Sequence, residues 1–439
     1  MKSITLICFV SLLSLGSIAA QNYDLTELGT LSATIGDDVR SADINNFGFV
    51  HGDNDKTGPL YGTLQTRSYM WDGVSQIETF PSVLGSTWKG AMNDLGQCVG
   101  HQTVGSEFHG YLWDAINGTS DLDFGLRGFT KCYDINNSGV ITGIFTSENL
   151  HNFRFQYRAF IYDSNTFRFL ELPTLGGRES TSTAINNDNF IVGTTYDAAG
   201  TQHGFLWTPS QGMSAIPGLG HPIDINDNGV IVGYELDANG LAQAYRYDTV
   251  SQTLTSLPLP AGYTYGSANG INCFGQAVGY AVDQHGAQHA LLWNDASSVT
   301  VLDTIINNLG SWEITGSNSI NDLGEITGTG TVAGLRRAYK LSPVLVAPTI
   351  SEFLPGRAGQ NNSLFVLGFT PHQDVLLNYG GQGGSFVFHT IIASDRADAD
   401  GRAEFNVSIP PSAANRTVWL NATELNLANP SVAILQLIN

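Results

Sequence analysis

The sequence predicts an all-β protein: a seven-bladed β-propeller followed by a small β-sandwich. Two observations carry this prediction. One polar phrase returns seven times along the chain, at intervals of the length that a four-stranded propeller blade occupies. The composition is rich in glycine, with 50 glycines in 439 residues, and only 13% of the residues are charged. Such a composition is typical of a chain with many tight turns between short strands.

The repeated phrase is read most easily at residues 222–233, PIDINDNGVIVG. The seven copies occupy residues 41–52, 90–100, 132–143, 182–193, 222–233, 268–279 and 317–328. Their closing glycines are 40 to 50 residues apart. We interpret each copy as the end of a strand A, a polar turn and a strand B.

An aromatic segment follows each phrase and predicts a strand C, as in HGFLW at 203–207. A fourth strand, D, follows in the first six copies but not in the seventh. Residues 23–31 have the Leu-x-x-Leu-Gly spacing found near residues 172–176. We therefore predict that residues 23–31 supply the missing strand by pairing with the segment around Arg337–Lys340. This closure would remove an exposed sheet edge.

The phrase and the aromatic segment together resemble the extracellular repeats of the HAF family, over roughly residues 23–340. The resemblance implies an exported protein with a propeller-like repeat array and no established catalytic activity. Several copies depart from the family pattern. Arg67, Arg158, Gln243 and Arg337 stand where the family has His, and Asn189 replaces the turn glycine of the fourth copy.

The termini differ from the repeat array. Residues 1–20 combine Lys2, an apolar run and small residues before Gln21, which predicts a cleaved signal peptide and a secreted or cell-surface location. Residues 21–342 form the predicted propeller. Residues 346–439 contain alternating strands without the phrase, and they resemble the Ig-like β-sandwich modules of exported repeat proteins. No later stretch approaches the ~18 apolar residues of a membrane span.

Charge and cysteine content narrow the range of partners. The formal net charge of −20 disfavours nucleic acid and anionic membranes. Three cysteines follow the signal peptide, Cys98, Cys132 and Cys273, and an odd number argues against a disulfide scaffold. The sequence leaves open whether Cys98 and Cys132 pair. We expect a monomer with a glycan or an extracellular protein as partner.

The Asp/Asn-rich turn of the phrase has two interpretations. Alternating carboxylates and amides resemble a calcium loop. However, the leading acid occurs only as Asp43, Asp134 and Asp224, and no copy has the distant bidentate Glu of the full loop. A hairpin turn with Asn or Asp followed by Gly at positive φ accounts for every copy. We predict a turn, with no metal and no cofactor, and keep calcium as the alternative.

The first position of strand C also has two interpretations. It is occupied in order by Arg67, His109, Arg158, His203, Gln243, His289 and Arg337. A ring of such donors could bind anionic sugars or carboxylates. Because the same role in every blade is typical of structure, we predict a repeated hydrogen bond that ties each blade to its neighbour. The aromatic residues that close strand C, such as Trp113, Trp207 and Trp293, are predicted to pack between blades.

Residues that occur only once are the better candidates for recognition. The connections from strand D to the next strand A carry unrepeated aromatic and polar side chains. We predict a ligand-binding site at this mouth of the channel, formed by Trp88, His221, Tyr263, Tyr265 and Trp312. Aromatic rings beside polar groups suit sugars. The alternative is that these rings pack between blades.

The leading functional hypothesis is an exported, non-catalytic binding or surface protein with a glycan or protein partner. The alternative is a polysaccharide lyase or glycosidase that uses His221, Tyr263 or Glu313. GxSxG, HExxH, CxxC and P-loop spacings are absent from the sequence, but a paired-carboxylate glycosidase needs none of them. Propellers host both classes, so the fold alone does not decide.

Overall fold

The computed structural model describes residues 22–30, 38–57, 64–79, 86–124, 129–148 and 155–344, and the backbone of seven further strands between residues 349 and 437. The predicted signal peptide, residues 1–20, lies outside the described residues. The chain divides into two compact units, one spanning Asn22–Pro343 and the other containing Val344–Asn439.

The first unit is an all-β propeller of seven four-stranded antiparallel blades. After the N-terminal strand β1 (Tyr23–Glu27), blade one contains β2 (Val39–Ile44), β3 (Val50–Thr57), β4 (Leu64–Trp71) and β5 (Gln76–Glu78). Blade two contains β6 (Thr87–Met92), β7 (Cys98–Val104), β8 (Glu107–Asp114) and β9 (Gly118–Leu122). Blade three contains β10 (Thr130–Ile135), β11 (Val140–Glu148), β12 (Phe155–Asp163) and β13 (Arg168–Glu171).

Blade four contains β14 (Gly176–Ile185), β15 (Ile191–Asp197), β16 (Gln202–Thr208) and β17 (Gly212–Ala215). Blade five contains β18 (His221–Ile225), β19 (Val230–Leu236), β20 (Ala242–Asp248) and β21 (Thr253–Ser256). Blade six contains β22 (Tyr263–Ile271), β23 (Ala277–Asp283), β24 (Gln288–Trp293) and β25 (Thr300–Val301), followed by the 3-10 helix η1 (Leu302–Ile305). Blade seven contains β26 (Trp312–Ile320), β27 (Ile326–Val332) and β28 (Leu335–Pro343).

The fourth strand of blade seven is β1, as the sequence predicts. It pairs antiparallel with β28 in a register that runs from Tyr23 opposite Pro343 to Glu27 opposite Tyr339. Beyond the strand, the backbone N–H of Leu28 donates to Ala338 O at 3.2 Å. The two ends of the propeller are therefore joined within one sheet, and β1 covers the edge of β28 where a second chain could otherwise pair.

The predicted turn geometry is confirmed in all seven copies. In blade five the N–H of Gly229 donates to Asn226 O at 3.0 Å, and Gly229 has a φ of 73°. Six copies place glycine in this left-handed conformation, and the fourth places Asn189 there with a φ of 62°. Asn is the residue that tolerates positive φ best after glycine, so the departure keeps the turn.

The core of the propeller lies between neighbouring blades. One apolar cluster joins Val232 of blade five to Ala268 and Trp293 of blade six, with Leu257 between them. Trp293 is fully buried, and its indole N–H donates to Pro258 O of the preceding blade at 2.7 Å. Trp113 and Trp207, at the same position of their blades, are also buried. The prediction that these residues pack between blades is confirmed.

The second unit contains two antiparallel sheets. One has the order β29 (Thr349–Ile350), β30 (Asn361–Leu367) and β33 (Ala403–Ser408). The other has the order β32 (Thr390–Arg396), β31 (Asp374–Gly380), β34 (Val418–Glu424) and β35 (Val432–Leu437). Two such sheets are the components of a β-sandwich. The Ig-like character of this unit stays a prediction.

Candidate binding sites at the two ends of the channel

The antiparallel order of each blade gives the propeller two different ends. The turns from strand A to B and from strand C to D lie at one end, which we call the turn face. The connections from B to C and from D to the next A lie at the other end, the loop face. Strand A lines the channel between them, so each strand A begins near the loop face and ends near the turn face.

The first Asn of the phrase forms a closed ring of hydrogen bonds around the channel. Each side-chain amide donates to the backbone carbonyl of the equivalent Asn in the next blade, at 2.8 to 3.2 Å, and the seventh donates back to the first. The ring consists of Asn45, Asn93, Asn136, Asn186, Asn226, Asn272 and Asn321. It joins all seven blades in one circuit.

The same side chains also hold their own turns. In blade five, Asn226 Oδ1 accepts from the N–H groups of Asn228 and Val230, at 3.1 and 2.9 Å. The other six Asn residues make the equivalent pair of bonds. All seven are buried. Every polar atom of this amide is therefore used for structure, which explains why the phrase repeats it without exception.

Two residues before this Asn, acids and small residues alternate around the channel. Asp43, Asp134 and Asp224 belong to blades one, three and five. Ala91, Ala184 and Gly270 take the position in blades two, four and six, and Ser319 takes it in blade seven. Because seven is odd, the alternation must break once, and Ser319 stands at the break.

Each of these acids bonds the next blade. Asp224 Oδ1 accepts from Ile225 N–H at 2.8 Å, and Oδ2 accepts from Ile271 N–H of blade six at 2.9 Å. Asp43 and Asp134 make the same pair of bonds. A small residue in the following blade leaves room for the carboxylate to reach this N–H. At the break, Ser319 Oγ donates to Asp43 Oδ1 at 2.7 Å.

Burial makes the charged form of these three carboxylates unfavourable. Burial raises the pKa of Asp224 to about 6. Burial, and then the nearby charge of Asp43, raises the pKa of Asp134 well above its ordinary value. Burial also raises the pKa of Asp43, although the N–H of Met92 and the hydroxyl of Ser319 oppose the shift. Within the described part of the chain, no three His, Cys, Asp or Glu side chains could together hold a metal ion.

A cavity of about 180 Å³ opens at the turn face inside these rings. Its wall contains the second residue of each turn: Asn46, Asp94, Asn137, Asn187, Asp227, Cys273 and Asp322. Six of the seven links between neighbours in this outer ring are hydrogen bonds from a backbone N–H to a side-chain oxygen. At the remaining position the ring carries Cys273, whose side chain ends in sulfur in place of oxygen. The six carboxylates of the described wall are accompanied by no Lys, Arg or His.

Six of the seven side chains at the first position of strand C bond within their own blade, so the predicted bond to the neighbouring blade is wrong for these six. Gln243 is the exception, because its Nε2 donates to Thr264 O of blade six at 3.5 Å. Five of the seven side chains face an acid on or just after strand D. These pairs are Arg67 with Glu78, His109 with Asp121, Arg158 with Glu171, His289 with Asp303 and Arg337 with Glu27, at 3.1 to 3.6 Å. Where strand D carries Ala215 in place of the acid, His203 pairs with Asp197 at 3.0 Å. In blade five strand D carries Ser256, and Gln243 takes the place of the cation.

The predicted ligand-binding residues lie on the first residues of strand A and not in loops. Trp88 stacks on His101 of the adjacent strand, with ring centroids 5.2 Å apart. Trp312 meets Tyr339 edge to face at 6.4 Å, and Tyr263 meets His289 in the same way at 5.6 Å. Trp88, Tyr263 and Trp312 therefore lie in three different blades, each packed against its own neighbours.

Two of the predicted residues, His221 and Tyr265, lie in one region of the structure, together with the tyrosines Tyr234 and Tyr280, which were not predicted. His221 stacks on Tyr234 with centroids 4.5 Å apart and an angle of 4° between the rings. Burial, and then the nearness of the Tyr234 and Tyr265 phenols, raises the pKa of Tyr280. Four half-buried aromatic rings thus share one region of blades five and six.

Amide and hydroxyl groups extend this region into blade four. Gln202 Nε2 donates to His221 Nε2 at 2.9 Å, and Tyr196 donates its hydroxyl to Gln202 Oε1 at 3.2 Å. His221 Nδ1 must then carry the ring proton, and it is buried without a hydrogen-bond partner among the described atoms. We call these six residues the aromatic patch: Tyr196, Gln202, His221, Tyr234, Tyr265 and Tyr280.

The sequence holds a signal for Tyr234 and Tyr280. The residue after the closing glycine of the phrase reads Asp53, His101, Ile144, Thr194, Tyr234, Tyr280 and Thr329 around the blades. This position has no common residue type, so the blade does not require one. The unrepeated residues predicted from the sequence lie near the connections between blades, whereas this unrepeated position lies inside strand B.

Comparison with known proteins adds little beyond the fold. No family model and no curated protein matches the sequence. Among solved structures, a fungal alcohol oxidase of the AA5 family in complex with copper aligns with 96% of this chain and 100% of its own, at 12% identity and a TM-score of 0.44. The acylaminoacyl peptidase of Pyrococcus horikoshii aligns over 75% of this chain and 58% of its own, at 10% identity and a TM-score of 0.47.

The β-propeller domain of the Trilobed protease from Pyrococcus furiosus aligns over 75% of this chain and 91% of its own, at 9% identity and a TM-score of 0.36. Similarities this weak indicate nothing about activity. Within the described residues, none of the helical segments has the length and apolar character that crossing a bilayer requires.

Proposed function

We propose that this chain is an exported, non-catalytic binding protein of the HAF-repeat type, and that its propeller binds a glycan at the aromatic patch. The observation that carries the proposal is the chain of contacts from Tyr196 through Gln202 and His221 to Tyr234 near the loop face, with the phenols of Tyr265 and Tyr280 close by. Pyranose rings present apolar CH faces and polar hydroxyl edges, and a site with aromatic faces beside amide groups matches both.

The unpaired His221 N–H supports a binding role. A buried donor without a partner costs about 1–3 kcal/mol, and a native structure keeps few of them. Functional sites are one place where such a cost persists. A sugar hydroxyl is an acceptor that could reach this N–H after a small shift of the ring.

The contacts of the candidate catalytic residues give the enzyme alternative no support. His221 bonds Gln202, Tyr263 packs on His289, and Glu313 accepts from the Thr331 hydroxyl at 3.1 Å. A lyase base would have to lie beside a cation that neutralises a uronate carboxylate. Binding is therefore the function that this geometry supports best. The Ig-like unit would act as a spacer or an anchor for the propeller.

The experiment is a glycan array with the mature protein, followed by calorimetric titration of the strongest ligand. Stacking on one ring contributes roughly 0.5–1.5 kcal/mol beyond area burial, so Tyr234→Ala with Tyr280→Ala should weaken binding about tenfold or more. Tyr157→Ala is the control, because this tyrosine is 41% exposed on a strand of blade three. An array without ligands, or equal affinity of the tyrosine pair and the control, would refute the proposal.

A further inference from the structure

The third residue of the repeated turn divides the turn face into two halves. In order around the propeller it reads Phe47, Leu95, Ser138, Asp188, Asn228, Phe274 and Leu323. Blades six, seven, one and two are neighbours in the ring, and these four carry the apolar residues. We call Phe274, Leu323, Phe47 and Leu95 the apolar arc.

The fold does not require these apolar side chains. At all seven positions the backbone N–H donates to the ring Asn two residues earlier, at 3.0 or 3.1 Å. The backbone N–H groups of Ser138, Asp188 and Asn228 make the same bond as those of Phe47 and Leu95. This bond does not specify the side chain. Phe47 and Leu95, on adjacent blades, are 69% and 70% exposed, whereas Phe274 and Leu323 are half-buried. Apolar side chains held in water on adjacent blades are typical of an interaction surface.

The apolar arc lies beside the acidic mouth of the cavity. Phe47 directly follows Asn46, and Leu95 directly follows Asp94. The backbone N–H of Asn46 donates a hydrogen bond to Asp94 Oδ1 at 2.8 Å. Asn46 Nδ2 also donates to Asp322, which precedes Leu323. The arc and the carboxylates of the outer ring therefore share one continuous rim.

This combination defines the chemistry of the partner. The cavity volume of about 180 Å³ is many times the ~10–15 Å³ that one water molecule needs on the same measure, so the cavity can admit the end of a side chain. Its six carboxylates repel one another, and a cationic group would relieve that repulsion. An apolar surface next to the cation would bury Phe47 and Leu95.

We propose that the turn face binds a protein segment in which a Lys or Arg stands among apolar residues, with the cation in the cavity mouth and its neighbours against the apolar arc. This surface is at the opposite end of the channel from the aromatic patch. The inference goes beyond glycan binding and does not depend on it.

The chain supplies its own conservative replacements for a test. Phe47→Asn with Leu95→Ser introduces residue types that blades five and three already carry at this position. Asp94→Asn with Asp322→Asn removes two charges but keeps an oxygen acceptor, as Asn137 and Asn187 do in the same ring. Val250→Ser is the control, because Val250 is 86% exposed in a turn of blade five on the same face.

The probe is a set of synthetic octapeptides measured by fluorescence anisotropy on the full mature chain. Each has a central Lys or Arg flanked by Leu and Phe, and matched peptides carry a central Glu or Ser flanks. We expect binding of the cationic apolar peptides only, weakened at least tenfold by each double variant and unchanged by Val250→Ser. Affinity should also fall as salt is raised, because exposed charges are screened. Circular dichroism should show both variants folded.

Three results would overturn the inference: no binding of the cationic apolar peptides at millimolar concentration, equal binding of the Glu-centred peptides, or equal binding by folded double variants. Concentration-dependent self-association that Phe47→Asn abolishes would instead assign the arc to a second copy of this chain. Because the glycan titration uses other residues and another ligand, failure of one experiment leaves the other proposal standing.

Discussion

Asn226 shows how one side chain of the phrase serves two blades. Its oxygen accepts from the N–H groups of Asn228 and Val230 in blade five, and its amide donates to Asn272 O of blade six. Removing it leaves two backbone N–H groups without this acceptor and takes one of two donors from Asn272 O, which keeps the N–H of Gly275. Each unsatisfied buried group costs about 1–3 kcal/mol, partly relieved by water. We expect Asn226→Ala to destabilise the propeller by about 2–4 kcal/mol and to lower its melting temperature by several degrees.

Asn239→Ala is the matched control for this change, because Asn239 lies in an exposed turn of the same blade. Its melting temperature should stay close to that of the wild type. Equal melting temperatures for the two variants, measured by calorimetry, would show that the ring of amides does not stabilise the closed propeller.

Asp224 predicts a pH dependence with a defined sign. Its folded pKa is raised from an ordinary value of 3.8 to about 6, so the folded state binds a proton more readily than the unfolded chain does. The resulting stability is fully present below about pH 4 and is lost as the pH rises through about 6. Asp134 and Asp43 act in the same direction, since burial raises the pKa of both.

The lowered pKa of His101 changes stability with pH in the opposite direction. Burial, and then the charge of Lys131, lowers its pKa from 6.5 to about 3, so its contribution is lost as the pH falls below about 6.5. The measurement is therefore a difference between wild type and Asp224→Asn, followed by thermal melting from pH 4 to pH 7. We expect the stability lost on substitution to be largest near pH 4 and smallest near pH 7. A difference that grows toward pH 7 would contradict the raised pKa.

At the scale of the element, one bulge explains the closing glycine of the phrase. In blade five the register of strand A against strand B shifts between Pro222 and Asp224. The bulge brings His221 O to within 2.1 Å of the place where a Cβ on Gly233 would lie. The closing glycines of all six other blades show the same approach of a strand A carbonyl. A side chain there would displace strand A, the strand that carries the ring residues.

Strand β1 supplies blade seven with its fourth strand and also with the acid that pairs with Arg337. Arg337 pairs with Glu27 of β1 at 3.4 Å, as Arg158 pairs with Glu171 on the fourth strand of blade three. The N-terminal strand thus brings the acid that the seventh repeat lacks. Tyr23 is fully buried and belongs to the core cluster of blades six and seven.

Deleting residues 21–30 should expose the edge of β28 and remove the buried Tyr23. We expect concentration-dependent oligomers by light scattering and a lower melting temperature. Glu27→Ala alone should cost at most about 1 kcal/mol, because this carboxylate is 45% exposed and the ion pair is screened. A deletion variant that stays monomeric and melts like the wild type would mean that the clasp does not close the ring.

At the scale of the whole molecule, the sequence predicts the features that each repeat has by itself. It does not predict the contacts that form between neighbouring blades. The number of blades, the turns, the buried Trp293 and the pairing of residues 23–28 follow from periodicity and from the missing strand. The ring through Asn226 and the alternation of Asp224 with Gly270 are contacts between repeats. They appear only when the copies are placed side by side in space.

The residues of the candidate glycan site also differ in how far the sequence could predict them. His221 and Tyr265 could be selected because they occur once, but spacing along the chain gives no distance between them. Tyr234 and Tyr280 stand inside strand B, where a tyrosine is an ordinary strand residue. Their role follows only from the closeness of blades five and six.

The turn geometry predicts that folding does not require calcium. The amide oxygens of the ring accept from backbone N–H groups, and each buried carboxylate accepts at least two hydrogen bonds. These oxygens are therefore already engaged in the structure. We expect the melting temperature with excess EDTA to match that with millimolar calcium. A drop of many degrees with the chelator would mean that the turns hold an ion and that our interpretation of the phrase is wrong.

The central claim is that residues common to all blades hold the propeller together, while residues that vary between blades bind the partner. The most direct measurement combines calorimetric melting and glycan titration on two variants, Asn226→Ala and Tyr234→Ala with Tyr280→Ala. We predict a lower melting temperature with unchanged affinity for the first, and at least tenfold weaker binding with unchanged melting for the second. The opposite pattern, lost binding in the Asn variant and lost stability alone in the tyrosine variant, would contradict the claim.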